Sequence, residues 1–383
     1  MNTMLNQKLC RDLREAINKT NIFTKDKQVR QHFNLLCAVM DRLDSCIGYV
    51  NSHSDAPKTE EDLIIFMTFG CIVVDAIHKI FDELGIPYDN DNKLLFKNIC
   101  MSSPLNLTEK QCPTDDKFFE YFRSLVFAHP FETNRAKFLK DKEKHYSPFV
   151  IVADKDIVGV MIYSNIGEGF DSVLNLTFSF SVLKEYIKTK YELLNKAIDR
   201  VNQIVRDKEN IWKQRNVNRN LPPIETLEDI VNILDERYID HYEIDEAIKY
   251  LRCKTTTLEN KGIIIKYRES IIKIIPNICD AIDNMDYESY SSIINEVINV
   301  RPNIMHKMAD YQLEKIYCYL DSESDSSNIE WGLTQAEFFA KEFAKKWVKI
   351  LPRDMEFDEI KLLVSAACYM EKCEQEKMEV PNE

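Results

Sequence analysis

Glycine is scarce in this chain, with only 8 among its 383 residues. Loops that hold nucleotide phosphates need closely spaced glycines, because side chains would keep the backbone N–H groups away from the phosphate. No glycine-rich phosphate loop occurs, which argues against a P-loop nucleotide hydrolase or a dinucleotide-binding fold. The HExxH helix of zinc proteases and the GxSxG turn of serine hydrolases are also absent.

Paired cysteines and long apolar runs are missing as well. The 11 cysteines are an odd number without a CxxC pair, and the closest two, Cys368 and Cys373, match no common zinc pattern. The longest apolar run, residues 63–74, is shorter than the about 20 residues that cross a membrane. The first residues lack the apolar core of a signal peptide. We therefore expect a cytoplasmic protein with reduced thiols, no membrane span and no metal or other cofactor.

The net charge of −13 is carried by the second part of the chain. Residues 222–383 hold 19 Lys and Arg against 33 Asp and Glu, whereas residues 1–221 hold 31 and 30. An acidic surface repels phosphate groups, so only the N-terminal part is suited to bind RNA. The acidity of the second part is explained most simply by solubility, and it also offers a docking surface for a regulatory protein.

Helical periodicity dominates the pattern of apolar residues. Three segments are expected to be helices, because each has apolar side chains at three- and four-residue steps or a long apolar run. They are residues 28–50, 60–84 and 115–128. Two β-branched runs between residues 148 and 164 predict a hairpin, and the alternation in VLNLTFSFS predicts a third strand. A long charged helix is expected over residues 182–206.

These elements predict a mainly α protein with two or three domains. We expect a helical bundle over residues 1–147 and an acidic all-α domain over residues 222–383. Between them, residues 148–221 are predicted to form a short antiparallel β-meander, a long helix and a basic linker, packed on the first bundle. The second boundary is placed at Leu221, Pro222 and Pro223, because proline interrupts helices.

One segment carries groups suited to cleave RNA without a metal. Arg123 is followed after five residues by His129, and Pro130 comes next. A base must take the proton of the ribose 2′-OH, an acid must protonate the leaving 5′-oxygen, and a cation must hold the phosphate. On a continuous helix the two side chains would lie about 9 Å apart along the axis and about 120° apart around it. Pro130 disfavours helical geometry at His129, so we expect the helix to end there and the imidazole to turn toward Arg123. Ser124 adds a hydroxyl that can orient either group.

The same spacing has an ordinary structural explanation. In that interpretation Arg123 pairs with Glu120 one turn earlier, and His129 favours the negative end of the helix dipole. An Arg followed by His after four to six residues also occurs at Arg301 and His306, without a comparable setting. Spacing alone therefore leaves both interpretations open.

The segment RSLVFAHPFETNR, preceded by a strongly apolar helix, resembles the R-x(4–6)-H signature of HEPN domains. The residue after the Arg is polar in that family, commonly Asn, and here it is Ser124. The resemblance covers residues 28–147 and implies a small helical bundle that acts as a homodimer. It also implies that two such motifs form one composite site, which cuts RNA to leave a 2′,3′-cyclic phosphate. Arg123 and His129 would then be the catalytic residues.

Neighbouring residues extend the expected site. Asn134 and Arg135 are candidates for substrate binding together with Ser124, and the lysines that follow offer phosphate contacts. Acidic residues alternate with those lysines, so a solvent-exposed mixed-charge helix explains them better. The basic stretch of residues 206–219, with Trp212 available for base stacking, is a second candidate RNA surface, or a linker whose tryptophan packs on the core.

Two functions of different classes follow. The first is a metal-independent endoribonuclease of HEPN type, used as a defence or toxin effector by analogy with family members that pair such a domain with a large helical partner. The second is a non-catalytic regulatory or interaction protein with a degenerate HEPN fold. Its N-terminal bundle would dimerise, and its acidic part would dock a protein partner.

Overall fold

The computed structural model describes residues 3–89, 92, 94–131, 133, 138–139, 142–153, 156–166, 169, 173–303 and 307–379. The chain forms two compact units, Met1–Asp207 and Lys208–Glu383. It is 64% helical and contains a small three-stranded antiparallel sheet among its helices. The predicted fold class, mainly α with a short β-meander, is therefore confirmed.

The first unit begins with helices, continues into the sheet and returns to helices. Its elements in chain order are α1 (Gln7–Asn18), α2 (Ile22–Lys25), α3 (Arg30–Ser52), α4 (Glu60–Leu84), α5 (Lys97–Met101), α6 (Asp115–Arg123), a π-helical turn (Ser124–Ala128), β1 (His145–Ala153), β2 (Ile157–Ser164), β3 (Val173–Ser179), α7 (Phe180–Glu192) and α8 (Leu194–Trp212). Helices are present where residues 28–50 and 60–84 predict them, and all three expected strands are present. The helix expected over residues 115–128 ends at Arg123 and continues as the π-helical turn, and the single long helix expected over residues 182–206 is divided into α7 and α8. Residues 154 and 155, which lie between β1 and β2 in the sequence, are outside the described residues.

Helix α4 forms the centre of the first unit. Its start is fixed by a capping box, in which the side chains of Thr59 and Asp62 each accept from the other's backbone N–H. It ends at Gly85, which adopts a left-handed conformation with φ 62°. The most apolar 18-residue window of α4 has the length and composition of a membrane span, and 56% of it is buried in the protein. Core helices pass the same test, and α4 packs against α3 and α7.

The sheet has the order β1–β2–β3, with antiparallel neighbours. Alternate residues of β2, from Val158 to Ser164, are buried, because one face of the sheet packs on the helices. Phe178 of β3 contacts Phe122 of α6 on that face, at a ring-centroid distance of 4.9 Å. Gly159 pairs with Thr177 at a point where a Cβ atom would lie 2.0 Å from the carbonyl oxygen of Leu176. Only glycine fits there.

The second unit is helical throughout its described residues. Its elements are α9 (Pro223–Glu236), α10 (Tyr242–Arg252), a 3₁₀ turn (Leu258–Asn260), α11 (Lys261–Asp283), α12 (Tyr287–Asn295), α13 (Ala309–Tyr319), α14 (Ser326–Glu342), a second 3₁₀ turn (Ala344–Lys346) and α15 (Phe357–Glu379). One contiguous apolar core joins these helices. Tyr267 and Tyr250 are fully buried within it, and the Tyr267 hydroxyl donates to the carbonyl oxygen of Val297 at 3.0 Å.

The division between the units differs from the boundaries expected from the sequence, at residues 147/148 and 221/222. The sheet and α7 belong to the first unit, and the division falls inside α8, after Asp207. Residues 208–221 belong to the second unit, because Val217 is buried there and its N–H donates to Asp283 at 2.8 Å. Pro222 and Pro223 mark the start of α9 instead of a domain boundary.

Candidate functional site

The candidate motif lies at the end of α6. The Thr114 side chain caps this helix by accepting from the N–H of Lys117, and Phe118, Phe119 and Phe122 anchor it in the core. Directly after Arg123 the backbone widens into the π-helical turn, which closes with a hydrogen bond of 2.8 Å from the His129 N–H to the Ser124 carbonyl. Single π-helical turns occur often at functional sites.

His129 leaves the helix, as expected from the proline that follows it. Its φ of −146° and ψ of 59° are not helical, and its side chain is exposed. Within the described part of the chain, the imidazole makes no hydrogen bond to another side chain, and none joins it to Arg123. The ring is therefore open to solvent and to a bound ligand.

Arg123 is held at the surface by a carboxylate of α4. Its Nη1 atom lies 3.3 Å from Oδ2 of Asp75, and the two side chains are 26% and 63% exposed. The ordinary structural interpretation paired Arg123 with Glu120, but among the described residues its ion pair is with Asp75. Because the Asp75 carboxylate is so exposed, this ion pair contributes only about 0–1 kcal/mol to stability. A phosphate can therefore compete with Asp75 for the guanidinium. The guanidinium also lies near Cys71, whose thiol pKa is raised by burial to about 12.

Ser124 lies beneath this surface. Its side chain is 2% exposed, and its hydroxyl has no hydrogen-bond partner among the described residues. It therefore orients neither Arg123 nor His129 in this structure. The other two residues expected to bind substrate, Asn134 and Arg135, lie outside the described residues.

A buried polar cluster joins α6 to the start of β1, which follows the motif in the sequence. The Tyr121 hydroxyl of α6 lies 2.6 Å from Nδ1 of His145, and His145 Nε2 lies 3.0 Å from Oε1 of Glu143. A carboxylate only accepts, so Nε2 carries the proton and Nδ1 accepts from the tyrosine. Burial lowers the pKa of His145, against the opposing effect of Glu143. The imidazole is therefore neutral and fully bonded, as a structural group.

This cluster positions the segment that follows His129. The N–H of Ser147 donates to the carbonyl of Pro130 at 2.6 Å, and the N–H of Thr133 donates to the carbonyl of His145 at 3.1 Å. The start of β1 is thus bonded to the chain just beyond the motif. The contact between His145 and Tyr121 was not predicted from the sequence.

A second polar cluster ties α6 to α7 at the other end of the helix. Lys190 is 6% exposed, and its Nζ atom lies 2.6 Å from Oδ1 of Asp116. The Tyr186 hydroxyl donates to the same oxygen at 2.6 Å. His78 of α4 contacts the ring of Tyr88 edge-on, with ring centroids 4.3 Å apart, and its Nε2 atom has no partner in the described part of the chain.

Two arginines of the basic stretch 206–219 are engaged in ion pairs inside the second unit. Arg215 pairs with Asp229 and Glu236, and Arg219 pairs with Asp280 and Asp283. These pairs occupy two of the five basic side chains that the sequence offered to RNA. The Trp212 ring packs edge-on against Tyr238, with ring centroids 5.9 Å apart. This arrangement agrees with the interpretation of the stretch as a packed linker.

The second Arg and His pair cannot be compared with the first, because His306 lies outside the described residues. Arg301 lies over the ring of Tyr317, at 5.7 Å from its centroid. Across the described ranges, no three His, Cys, Asp or Glu side chains are arranged to hold a metal ion. Comparisons with protein-family models, curated proteins and solved structures found no match.

Proposed function

We propose that this protein is a metal-independent endoribonuclease of HEPN type. The observation that supports it best is the geometry after Arg123. A π-helical turn ends at His129, whose imidazole is exposed, while the Arg123 guanidinium is held at the surface by one exposed carboxylate. The cation and the proton-transferring group that the chemistry requires therefore both lie near the C-terminal end of α6, six positions apart in the sequence.

In the proposed reaction Arg123 holds the scissile phosphate, which displaces Asp75 from the guanidinium. The charge that develops on the phosphate oxygens is stabilised by this cation. His129 transfers protons, either from the attacking 2′-OH or to the leaving 5′-oxygen. One histidine serves one of these steps at a time, so a homodimer that brings two motifs together would supply the acid and the base at once. The product would carry a 2′,3′-cyclic phosphate.

The solvent-exposed face of the sheet supports single-stranded RNA as the substrate. Phe149 and Tyr163 are 56% and 41% exposed, and Tyr146 pairs with Tyr163 across β1 and β2. Bases of unpaired RNA stack on aromatic side chains of this kind. Strand β1 carries Tyr146 and Phe149, and the same strand is bonded to the chain beside His129 through Ser147 and Pro130. Bases stacked on the sheet would bring the adjoining phosphates toward the motif.

The experiment is incubation of the purified chain with total RNA and transfer RNA in EDTA. Arg123→Ala and His129→Ala are compared with wild type. Arg14→Ala and His53→Ala are matched controls, because they remove an ion-paired Arg and an exposed His of the same unit. We expect His129→Ala to lose about 10²–10⁴-fold in cleavage rate, the usual contribution of general acid–base catalysis, and Arg123→Ala to lose about 10²–10³-fold, the usual contribution of one group that stabilises developing charge. The controls should cleave as wild type does.

The alternative is a non-catalytic interaction protein that keeps the helical bundle. Two observations favour it: Arg123 and His129 share no hydrogen bond, and Ser124 is buried. In that case RNA stays intact with every variant, or is cut at a rate that neither motif substitution changes. The acidic second part of the chain would then be the surface to test for a protein partner.

A further inference from the structure

A short basic segment interrupts the acidic second part of the chain. Residues 341–353, KEFAKKWVKILPR, contain five Lys and Arg and one Glu, although residues 222–383 as a whole hold 19 basic and 33 acidic residues. This segment covers the end of α14, the second 3₁₀ turn and the loop that precedes α15. The local charge is therefore opposite to that of the surrounding sequence.

The same segment encloses a surface pocket of about 430 Å³. Its floor is apolar, because Val348, Ile350 and Pro352 are buried there and Leu351 is 40% exposed. Its charged lining is mainly basic, with four cations against two carboxylates: Lys341, Lys345, Lys349 and Arg353, and Glu337 and Asp354. Pockets of about 300–1,000 Å³ with apolar walls and a few charged groups are typical of small-molecule sites.

Two of the four cations are already paired. Arg353 contacts Glu330 and Glu337 at 2.6 and 2.7 Å, and Lys349 lies 3.3 Å from Glu259. Lys341 and Lys345 are exposed, and neither has an ion-pair partner in the parts of the chain that the structure describes. The dipole of α14 favours cations at its C-terminal end, but it gives no reason for an apolar pocket beside them. An anionic ligand would satisfy both ammonium groups.

We propose that this pocket binds a small amphipathic anion, with a carboxylate or phosphate on Lys341 and Lys345 and an apolar body on Leu351 and its neighbours. The ligand must combine both features. An inorganic anion would leave the apolar floor uncovered, and a neutral alcohol would leave the two ammonium groups unpaired. This site lies in the second unit and does not depend on the proposed ribonuclease activity.

Isothermal titration calorimetry on the full chain tests the proposal with four probes: octanoate, octyl phosphate, octanol and inorganic phosphate. Octanoate and octyl phosphate separate the carboxylate from the phosphate source. We expect one or both to bind more tightly than octanol and inorganic phosphate. The double substitution Lys341→Glu/Lys345→Glu should weaken the binding of the charged probes by about tenfold or more, because it reverses both contacts.

Two further variants separate the contributions. Lys261→Glu/Lys266→Glu changes the net charge equally, at exposed lysines of α11 outside the pocket, and should leave binding unchanged. Leu351→Ser should weaken octanoate and octyl phosphate without changing the response to inorganic phosphate. Far-UV circular dichroism confirms that each variant is folded. The proposal is overturned if neither octanoate nor octyl phosphate binds, if inorganic phosphate binds as tightly as they do, or if both lysine pairs lower the affinity equally.

Discussion

Breaking the buried pair of Asp116 and Lys190 should destabilise the first unit strongly. The Lys190 and Asp116 side chains are 7% and 13% exposed, and one carboxylate oxygen accepts from both Lys190 and Tyr186 at 2.6 Å. Asp116→Ala leaves a buried ammonium and a buried hydroxyl without their acceptor. Removal of one partner of a buried ion pair costs about 3–5 kcal/mol, and the loss of the Tyr186 bond is not simply additive to it.

The assay can follow the two units separately. The three tryptophans, Trp212, Trp331 and Trp347, all lie in the second unit, so their fluorescence reports its unfolding. Far-UV circular dichroism reports the helices of both units. In a guanidinium titration, Asp116→Ala should lower the midpoint of a circular dichroism transition and leave the midpoint of the tryptophan transition in place.

The double variant Asp116→Ala/Lys190→Met provides the control, since it removes the unpaired charge. It should recover most of the about 3–5 kcal/mol lost in Asp116→Ala, because apolar replacement of a whole buried pair is commonly neutral or stabilising relative to the intact pair. The reasoning is refuted if Asp116→Ala lowers the free energy of unfolding by less than about 1 kcal/mol, the range of an exposed pair. It is also refuted if the double variant is no more stable than the single one.

Other predictions test different parts of the structure. His145 has a lowered pKa in the folded chain, so the unfolded chain binds its proton first as pH falls. Its contribution to stability is therefore present above about pH 6.5 and lost below it, and His145→Asn should flatten that part of a plot of Tm against pH. Phe149→Ala/Tyr163→Ala should weaken single-stranded RNA binding, at about 1–3 kcal/mol per stacked base, without a large change in Tm. A gel-shift titration in which the double variant binds as wild type does would contradict the stacking surface. Gly159→Ala should destabilise the sheet in thermal denaturation, because its Cβ would lie 2.0 Å from the oxygen of Leu176; an unchanged Tm would show that the strands separate easily there.

The sequence predicted the local elements well because their signals are local. The apolar spacing of residues 28–50, the long apolar run of α4 and the alternation in β3 each lie within one element. The end of α6 before His129 was also predictable, since Pro130 restricts only its neighbour. The π-helical turn was not predictable. No residue in it favours a backbone hydrogen bond to the carbonyl five positions earlier over the usual α-helical bond to the carbonyl four positions earlier.

The contacts that organise the candidate site could not be inferred in the same way. Arg123 pairs with Asp75, 48 positions earlier, in place of Glu120, which is its neighbour on the helix. Tyr121 and His145 are 24 positions apart, and Asp116 meets Tyr186 across 70. Such pairs depend on how helices and strands pack, which periodicity does not specify. The local excess of Lys and Arg in residues 341–353 is visible in the sequence. It was not recognised because the net charge was taken over the whole of residues 222–383.

The boundary between the units has a similar explanation. Two consecutive prolines and a basic stretch suggested a linker that ends at Leu221. The ion pairs of Arg215 and Arg219 join that stretch to α9 and α11 instead. These partners lie 14 to 64 positions away, so the composition of the stretch alone gives no sign of them.

The central claim is that Arg123 and His129 cut RNA through its own 2′-OH. The most direct measurement uses two short single-stranded oligonucleotides of the same sequence, one all-ribose and one with 2′-deoxyribose throughout, incubated with wild type and with His129→Ala in EDTA. We expect wild type to cut only the ribose strand, with 2′,3′-cyclic phosphate ends identified by mass spectrometry, and His129→Ala to leave both strands intact. Cleavage of the deoxy strand, ends without a cyclic phosphate, or equal cleavage by His129→Ala would contradict the claim.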